Sequence, residues 1–205
     1  MNRQIVQIFH NLIGKGKKPD GKADKMNPES GQFRDADRSK SGESVKQDES
    51  VAAQMLDLGT FEKIVNESLR QAREYGCLMS VDVDKFRDVN NLYGWDAGDA
   101  VLRDVERVLR DVFGGQACIC NPGGDIFILW LSEMSRDSAD EIRRRIGVVN
   151  DRLLHPVAGI VPVSLSVGAA FCESGDDNRS LVKRANKALY LVKENGRCGC
   201  ELSLS

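Results

Sequence analysis

Apolar positions along the chain follow two different periods, and the switches between them lay out the elements. In residues 2–13, Ile5, Ile8, Phe9, Leu12 and Ile13 recur at i, i+3, i+4, i+7 and i+8, which predicts an amphipathic helix over residues 1–14. From Gly14 to about Ser50 the chain is dominated by Lys, Asp, Glu, Ser and Gly, with only Met26, Phe33 and Val45 as sizeable apolar residues. Such a stretch cannot offset the entropy of ordering, so residues 15–50 are expected to be a flexible polar linker. Helical spacing resumes from Val51 to Tyr75, with Phe61, Ile64, Val65, Leu69 and Ala72 on one face. A buried strand is predicted over 77–82, a short helix over Asp84–Leu92 and a long helix over Asp99–Phe113. Two β-prone runs, Cys118–Cys120 and Ile126–Leu131, then flank Asn121-Pro122-Gly123-Gly124. This is the pattern of a hairpin whose turn needs positive φ, and it holds Asp125 at the tip. A helix from about Ser138, an alternating strand over 161–171 and a helix from about Arg179 to Glu194, stopped by Asn195-Gly196, complete the pattern.

The order strand, helix, helix, hairpin, helix, strand, helix predicts an α/β fold. Its central sheet is antiparallel-rich with flanking helices set on one side, like the nucleotidyl cyclase and polymerase palm. Residues 51–205 are expected to form this domain. At 205 residues with 41% hydrophobic content the chain can fill one core beside an appendage. The formal net charge of -2 supplies no electrostatic case for nucleic acid. Six cysteines, without a secretory apolar segment or an 18-residue apolar run, point to reduced thiols and a cytoplasmic location. The 1–14 helix is too short to stand alone and needs a surface for its stripe. The readings are a docking peptide for a protein partner, a homodimer contact, a membrane-surface anchor aided by Lys15, Lys17 and Lys18, and a frayed terminus.

Candidate chemistry gathers where apolar runs end in acids. Leu78-Met79-Ser80-Val81-Asp82-Val83-Asp84 is a strand that ends in carboxylates, and the hairpin carries Asp125. Carboxylates at a strand end and at a hairpin tip are one way to place hard oxygen ligands on a rigid sheet. Taken singly, each Asp reads equally well as a turn residue or a helix cap. The amides of Asp84, Lys85 and Phe86, at the start of a helix, are suited to phosphate oxygens. Cys118-x-Cys120 and Cys198-x-Cys200 each put two thiols on one strand face, which raises a four-thiolate metal site against the ordinary reading of small core residues.

Gly123-Gly124-Asp125-Ile126-Phe127, the strand ending in Asp82, Asn90, Gly98-Asp99 and the run Ala188-Leu189-Tyr190-x-x-Lys193-x-x-Gly196-Arg197 occur in the order and at the separations of one family. The chain over about 55–202 resembles the GGDEF family of diguanylate cyclases. The resemblance implies joining of two GTP molecules into cyclic di-GMP with Mg2+ or Mn2+. Asp82 and Asp125 would be catalytic and would hold metal with the Val83 carbonyl. Asn90 and Asp99 would read guanine, with Lys85, Phe86, Gly123, Gly124, Lys193 and Arg197 around the nucleotide. Asn90 and Asp99 also read as a helix-exit Asn and a helix N-cap, and Lys193 and Arg197 as cations at a helix C-terminus.

The chain departs from the family at several of these positions. Ile126 stands where the family has a metal-binding glutamate. Asn121 replaces the arginine before the hairpin, Trp95 a histidine and Asn186 an aspartate. Leu56-Asp57-Leu58-Gly59-Thr60-Phe61 stands in place of a Leu-Thr-Gly-Leu-x-Asn-Arg segment. The inhibitory Arg-x-x-Asp site falls at Gly114 and Ala117, so product feedback there is not expected. These departures lead to the expectation of a degenerate member that binds GTP, has weak or no cyclase activity and acts through protein partners. The alternatives are an active diguanylate cyclase and a pure adaptor with a vestigial pocket.

Overall fold

The computed structural model describes residues 55–71 and 75–203. The helix expected over 1–14 and the linker expected over 15–50 lie outside them. The chain runs β1 (Met55–Leu56), α1 (Leu58–Gln71), β2 (Cys77–Val83), α2 (Phe86–Tyr93), α3 (Trp95–Phe113), β3 (Cys118–Gly123), β4 (Ile126–Leu131), α4 (Ala139–Leu154), β5 (Leu165–Phe171), α5 (Asn178–Glu194) and β6 (Gly199–Ser203). The six strands form one sheet in the order β1-β3-β4-β2-β5-β6. The inner pairs β3/β4, β4/β2 and β2/β5 are antiparallel, and the outer pairs β1/β3 and β5/β6 are parallel.

Helices cover both faces of this sheet rather than the one face expected from the sequence. Every residue of β2, β4 and β5 is buried, and a strand buried on both sides needs a layer on each. Met79, Val81, Phe127, Leu129, Val167 and Ala169 face α3 and α4, where Val101, Val105, Leu109, Ile142, Ile146 and Val149 complete the main core. At ~1.5–3 kcal/mol for each large apolar side chain, this layer supplies most of the drive to fold. Alternation then turns Ser80, Asp82, Ile126, Ser166 and Gly168 to the other face, under α5. Gly168 is needed there, because a Cβ would lie 2.0 Å from the carbonyl oxygen of Ala185.

Several boundaries differ from the periodic pattern, and α3 begins at Trp95 where Asp99 was expected. The helix expected from Val51 to Tyr75 covers Leu58–Gln71, with Met55–Leu56 pairing in parallel with Ile119 and Cys120. Asp57 starts the helix: its carboxylate accepts from the Thr60 amide at 3.0 Å and from the Thr60 hydroxyl at 2.6 Å, an N-cap arrangement. The strand expected over 161–171 begins only at Leu165, because the Val163 amide donates to the Leu153 carbonyl at 3.2 Å and Ser164 turns to Asp84. A strand after the last helix, β6, joins β5 although the element order read from the sequence ended at that helix.

This topology removes the four-thiolate site. Cys118 and Cys120 are on β3, whereas Cys198 and Cys200 stand at the start of β6, with β4, β2 and β5 between. At ~4.8 Å per strand the two pairs are about 19 Å apart, far beyond the reach of one ion. No helix among the described residues is long and apolar enough to cross a membrane.

Candidate functional site

One end of the sheet collects the polar residues singled out above. Asp82 is the next-to-last residue of β2 and is 4% exposed. In the antiparallel register its direct partner on β4 is Ile126. Partners directly opposite project to the same face with Cβ atoms about 4.5–5.5 Å apart, so Ile126, itself buried, is the immediate neighbour of the Asp82 carboxylate. The hairpin tip is drawn against the same strand end, the Val83 amide donating to the Asp125 carbonyl at 3.0 Å.

The tip is shaped by its sequence. Gly123 pairs with Ile126, leaving Gly124-Asp125 as the loop. Gly123 and Gly124 have φ of 137° and 62°, values that L side chains adopt only with strain. Asn121 organises the turn: its Oδ1 accepts from the Gly123 amide at 2.7 Å and its Nδ2 donates to the Gly124 carbonyl at 3.3 Å. Asn121 thus has a local structural role as an Asx turn.

Lys193, on the last turn of α5, places its Nζ 2.6 Å from Asp82 Oδ2. Burial raises the Asp82 carboxyl from 3.8 to about 6, against the opposing pull of Lys193 and with the Asp125 and Asp84 charges adding to the rise. Burial outweighs the ion pair. This is a carboxylate that favours positive charge beside it.

Asp84 anchors the site through its carboxylate. Its Oδ1 accepts from the Ser166 hydroxyl at 2.7 Å, and its Oδ2 accepts from the Ser164 hydroxyl at 2.7 Å and from the Cys198 amide at 3.1 Å. Arg197 Nε lies 3.9 Å from the same carboxylate. Arg197 and Cys198 have φ of 70° and 52°, a strained pair of left-handed residues held in place partly by this contact. The alternation Asp82-Val83-Asp84 is the signal that both acids share a face, and Ser164, just before β5, and Ser166, on it, repeat the spacing. The Asp84 amide is not available for phosphate as expected, because it donates to the Ser164 carbonyl at 2.8 Å. Lys85, with φ of 56°, and the half-buried Phe86 head α2.

Asn90 meets α3 at Gly98, the residue before Asp99. Asn90 lies within α2 and not at its exit, and Asp99 is the fifth residue of α3, which is capped by Gly94. The helix-exit and N-cap readings therefore do not hold. A Cβ on Gly98 would lie 1.9 Å from Asn90 Oδ1 and 3.3 Å from the Phe86 ring, so Gly98 lets Asn90 reach α3 beside Asp99. Asn90 Oδ1 is buried without a hydrogen-bond partner, and Asp99 is exposed. Among the described residues no group of three or more His, Cys, Asp or Glu side chains converges as a metal cage.

The model of the family described as "Diguanylate cyclase, GGDEF domain" matches residues 46–198. The chain belongs to the GGDEF family. It is 32% identical over 159 residues to diguanylate cyclase DosC of Escherichia coli, covering 74% of this chain and 34% of that protein. It is 30% identical to diguanylate cyclase A of Treponema denticola, covering 65% of this chain and 36% of the relative. This GGDEF chain therefore spans about a third of the length of these curated relatives. Its fold matches the active GGEEF domain of a diguanylate cyclase from Vibrio cholerae with a TM-score of 0.66 at 22% identity, covering 74% of this chain and 99% of that one. It also matches diguanylate cyclase SiaD of Pseudomonas aeruginosa, solved in complex with its activator SiaC, at a TM-score of 0.66 and 25% identity, covering 76% and 63% of the two chains. Domains of the family generally use Mg2+.

Proposed function

We propose that this GGDEF domain binds GTP, has weak or no cyclase activity and acts in cyclic di-GMP signalling through protein partners. The observation that carries the reading is Ile126, a buried side chain paired in register with Asp82 where a metal-binding carboxylate would be needed. Asn90, Asp99, Lys193 and Arg197 stand at the family's motif positions. A carboxylate about 4 Å from a cation, at an effective dielectric near 20, contributes several kcal/mol before water compensates. Losing it is worth roughly two or three decades in rate at ~1.4 kcal/mol per decade.

The remaining donors still suit one hard cation. Asp82 is a buried carboxylate that already takes a positive partner, Lys193 at 2.6 Å. Mg2+ commonly uses one or two carboxylates and completes its shell with water and substrate phosphates. Asp82, Asp125 and the Val83 carbonyl would hold Mg2+ or Mn2+, which when bound neutralises charge on the triphosphate. Lys193 then exchanges Asp82 for a phosphate oxygen, and Arg197, loosely paired with Asp84 at 3.9 Å, turns to the same group. Gly123 and Gly124 leave the hairpin backbone open to the phosphates, beside Lys85 and Phe86. Asn90 and Asp99 set base selectivity, the carboxylate accepting from N1–H and N2–H of guanine and the amide bonding a neighbouring position on the base edge.

Residues 1–14, with their apolar stripe, are assigned the protein contact. Calorimetry with GTP and ATP in the presence of Mg2+ tests the pocket. GTP binding in the micromolar range with weaker ATP binding is expected. Absence of GTP binding, or equal affinity for ATP, supports the adaptor reading instead.

A further inference from the structure

We propose that Trp95 is a stacking platform for the purine base, a role that rests on the nucleotide pocket described above and adds an affinity-determining residue to it. Trp95 is the first residue of α3 and Asp99 the fifth. Residues four apart on a helix are surface neighbours, with Cβ atoms about 5–6 Å apart, and long side chains lean toward the helix N-terminus. The indole therefore stands one turn from Asp99, on the same side of α3. Asn90, in contact with Gly98, completes the group from α2.

The environment of the two tryptophans is opposite. Trp130 is 1% exposed in the sheet, whereas Trp95 is 77% exposed. Leu92 and Tyr93 beside it are 75% and 62% exposed, so a small apolar surface adjoins two base-reading groups. A planar ligand with polar edges suits this surface: its edge meets Asp99 beside Asn90, and its face covers the indole. Stacking accepts any base, because every base has a π-face. Selectivity thus stays with the two edge readers, and Trp95 contributes affinity.

The exposed indole also supplies the assay. Titrating the 205-residue chain with GTP and Mg2+ should quench an emission characteristic of solvent-exposed tryptophan, and Trp95→Phe should abolish that quench while retaining most of the affinity. Trp95→Ala should weaken GTP roughly 5- to 150-fold. It should weaken ATP by the same factor and leave inorganic triphosphate binding and the thermal transition unchanged. Asp99→Asn, by contrast, should alter the GTP to ATP ratio. If wild type binds GTP calorimetrically but shows no quench, or Trp95→Ala binds GTP as tightly, stacking is overturned while the nucleotide pocket stands. An equal loss for inorganic triphosphate in Trp95→Ala also overturns stacking, since the base would then not be what the residue senses. A variant that shifts only the sedimentation coefficient, with nucleotide affinity intact, assigns Trp95 to self-association and overturns it too. No GTP binding by wild type overturns stacking and pocket together.

Discussion

Replacing Asp82 by asparagine should stabilise this domain at neutral pH while removing its cation and nucleotide binding. The carboxyl is 4% exposed, and burial holds its pKa at about 6 against 3.8 in the unfolded chain, even with Lys193 alongside. A pKa raised by folding means that the folded state prefers the proton. The associated stability is present in full below pH ~4, falls as pH climbs to about 6 and is absent above it. At ~1.36 kcal/mol for each tenfold change in proton affinity, the ionised carboxylate costs the fold about 3 kcal/mol at pH 7–8. Asparagine is neutral at every pH, so Asp82→Asn should match wild type near pH 4 and exceed it at pH 8. For a domain of this size that difference is about 6–12 °C in Tm. Thermal melts of both proteins from pH 4 to pH 8, without divalent ions, check it. A constant gap across the range, or a variant less stable at pH 8, would refute the burial argument. Added Mg2+ should raise the wild-type Tm and leave the variant unmoved.

Ile126→Glu places a carboxylate beside Asp82, so it should lower the Tm of the metal-free domain and raise Mn2+ affinity roughly tenfold or more, measured by calorimetry. Gly98→Ala drives a Cβ to 1.9 Å from Asn90 Oδ1, and GTP affinity should drop at least tenfold with stability reduced by about 1–3 kcal/mol in a urea titration. Gly168→Ala meets the α5 backbone at 2.0 Å, where no flexible side chain can yield. It should therefore cost as much stability or more, and reduce soluble yield. Removing residues 1–14 should leave the thermal transition and GTP affinity unchanged while abolishing partner recruitment in cells; loss of either in vitro would place that segment in the domain's own core.

The elements were legible where one period dominates. The 3.6-residue spacing of Val101, Val105, Val108 and Leu109 marked α3, and Asn121-Pro122-Gly123-Gly124 marked the hairpin, because backbone conformation there depends on local residue type. The two-sided layering was not legible. Gly168 and Ser166 sit on a buried face beneath α5 yet resemble the exposed side of an alternating strand, since close backbone approach selects small residues. β6 escaped because Gly199-Cys200-Glu201-Leu202-Ser203 is short and weakly apolar, and its place beside β5 is set by a parallel pairing distant in sequence. Asp82 and Asp125 could be singled out as acids ending a strand and a hairpin, and Asn90 and Asp99 through the family resemblance, whereas the contacts of their neighbours required coordinates. Asp84 is an anchor held by Ser164, Ser166 and the Cys198 amide, Lys193 is the present partner of Asp82, and Asn121 shapes the hairpin turn. That Ile126 directly opposes Asp82 follows from strand register, which neither strand's sequence states alone.

The most direct test of a GTP-binding domain with a weakened catalytic centre is turnover. The purified 205-residue chain incubated with GTP and either Mg2+ or Mn2+, sampled over hours and resolved by chromatography, reports cyclic di-GMP against unreacted GTP. The account predicts GTP recovered intact, with product absent or accumulating hundreds of times more slowly than from an active diguanylate cyclase assayed in parallel. Sustained formation of cyclic di-GMP at a rate comparable with that enzyme would contradict it, and would mean that Asp82 and Asp125 suffice without a carboxylate at position 126.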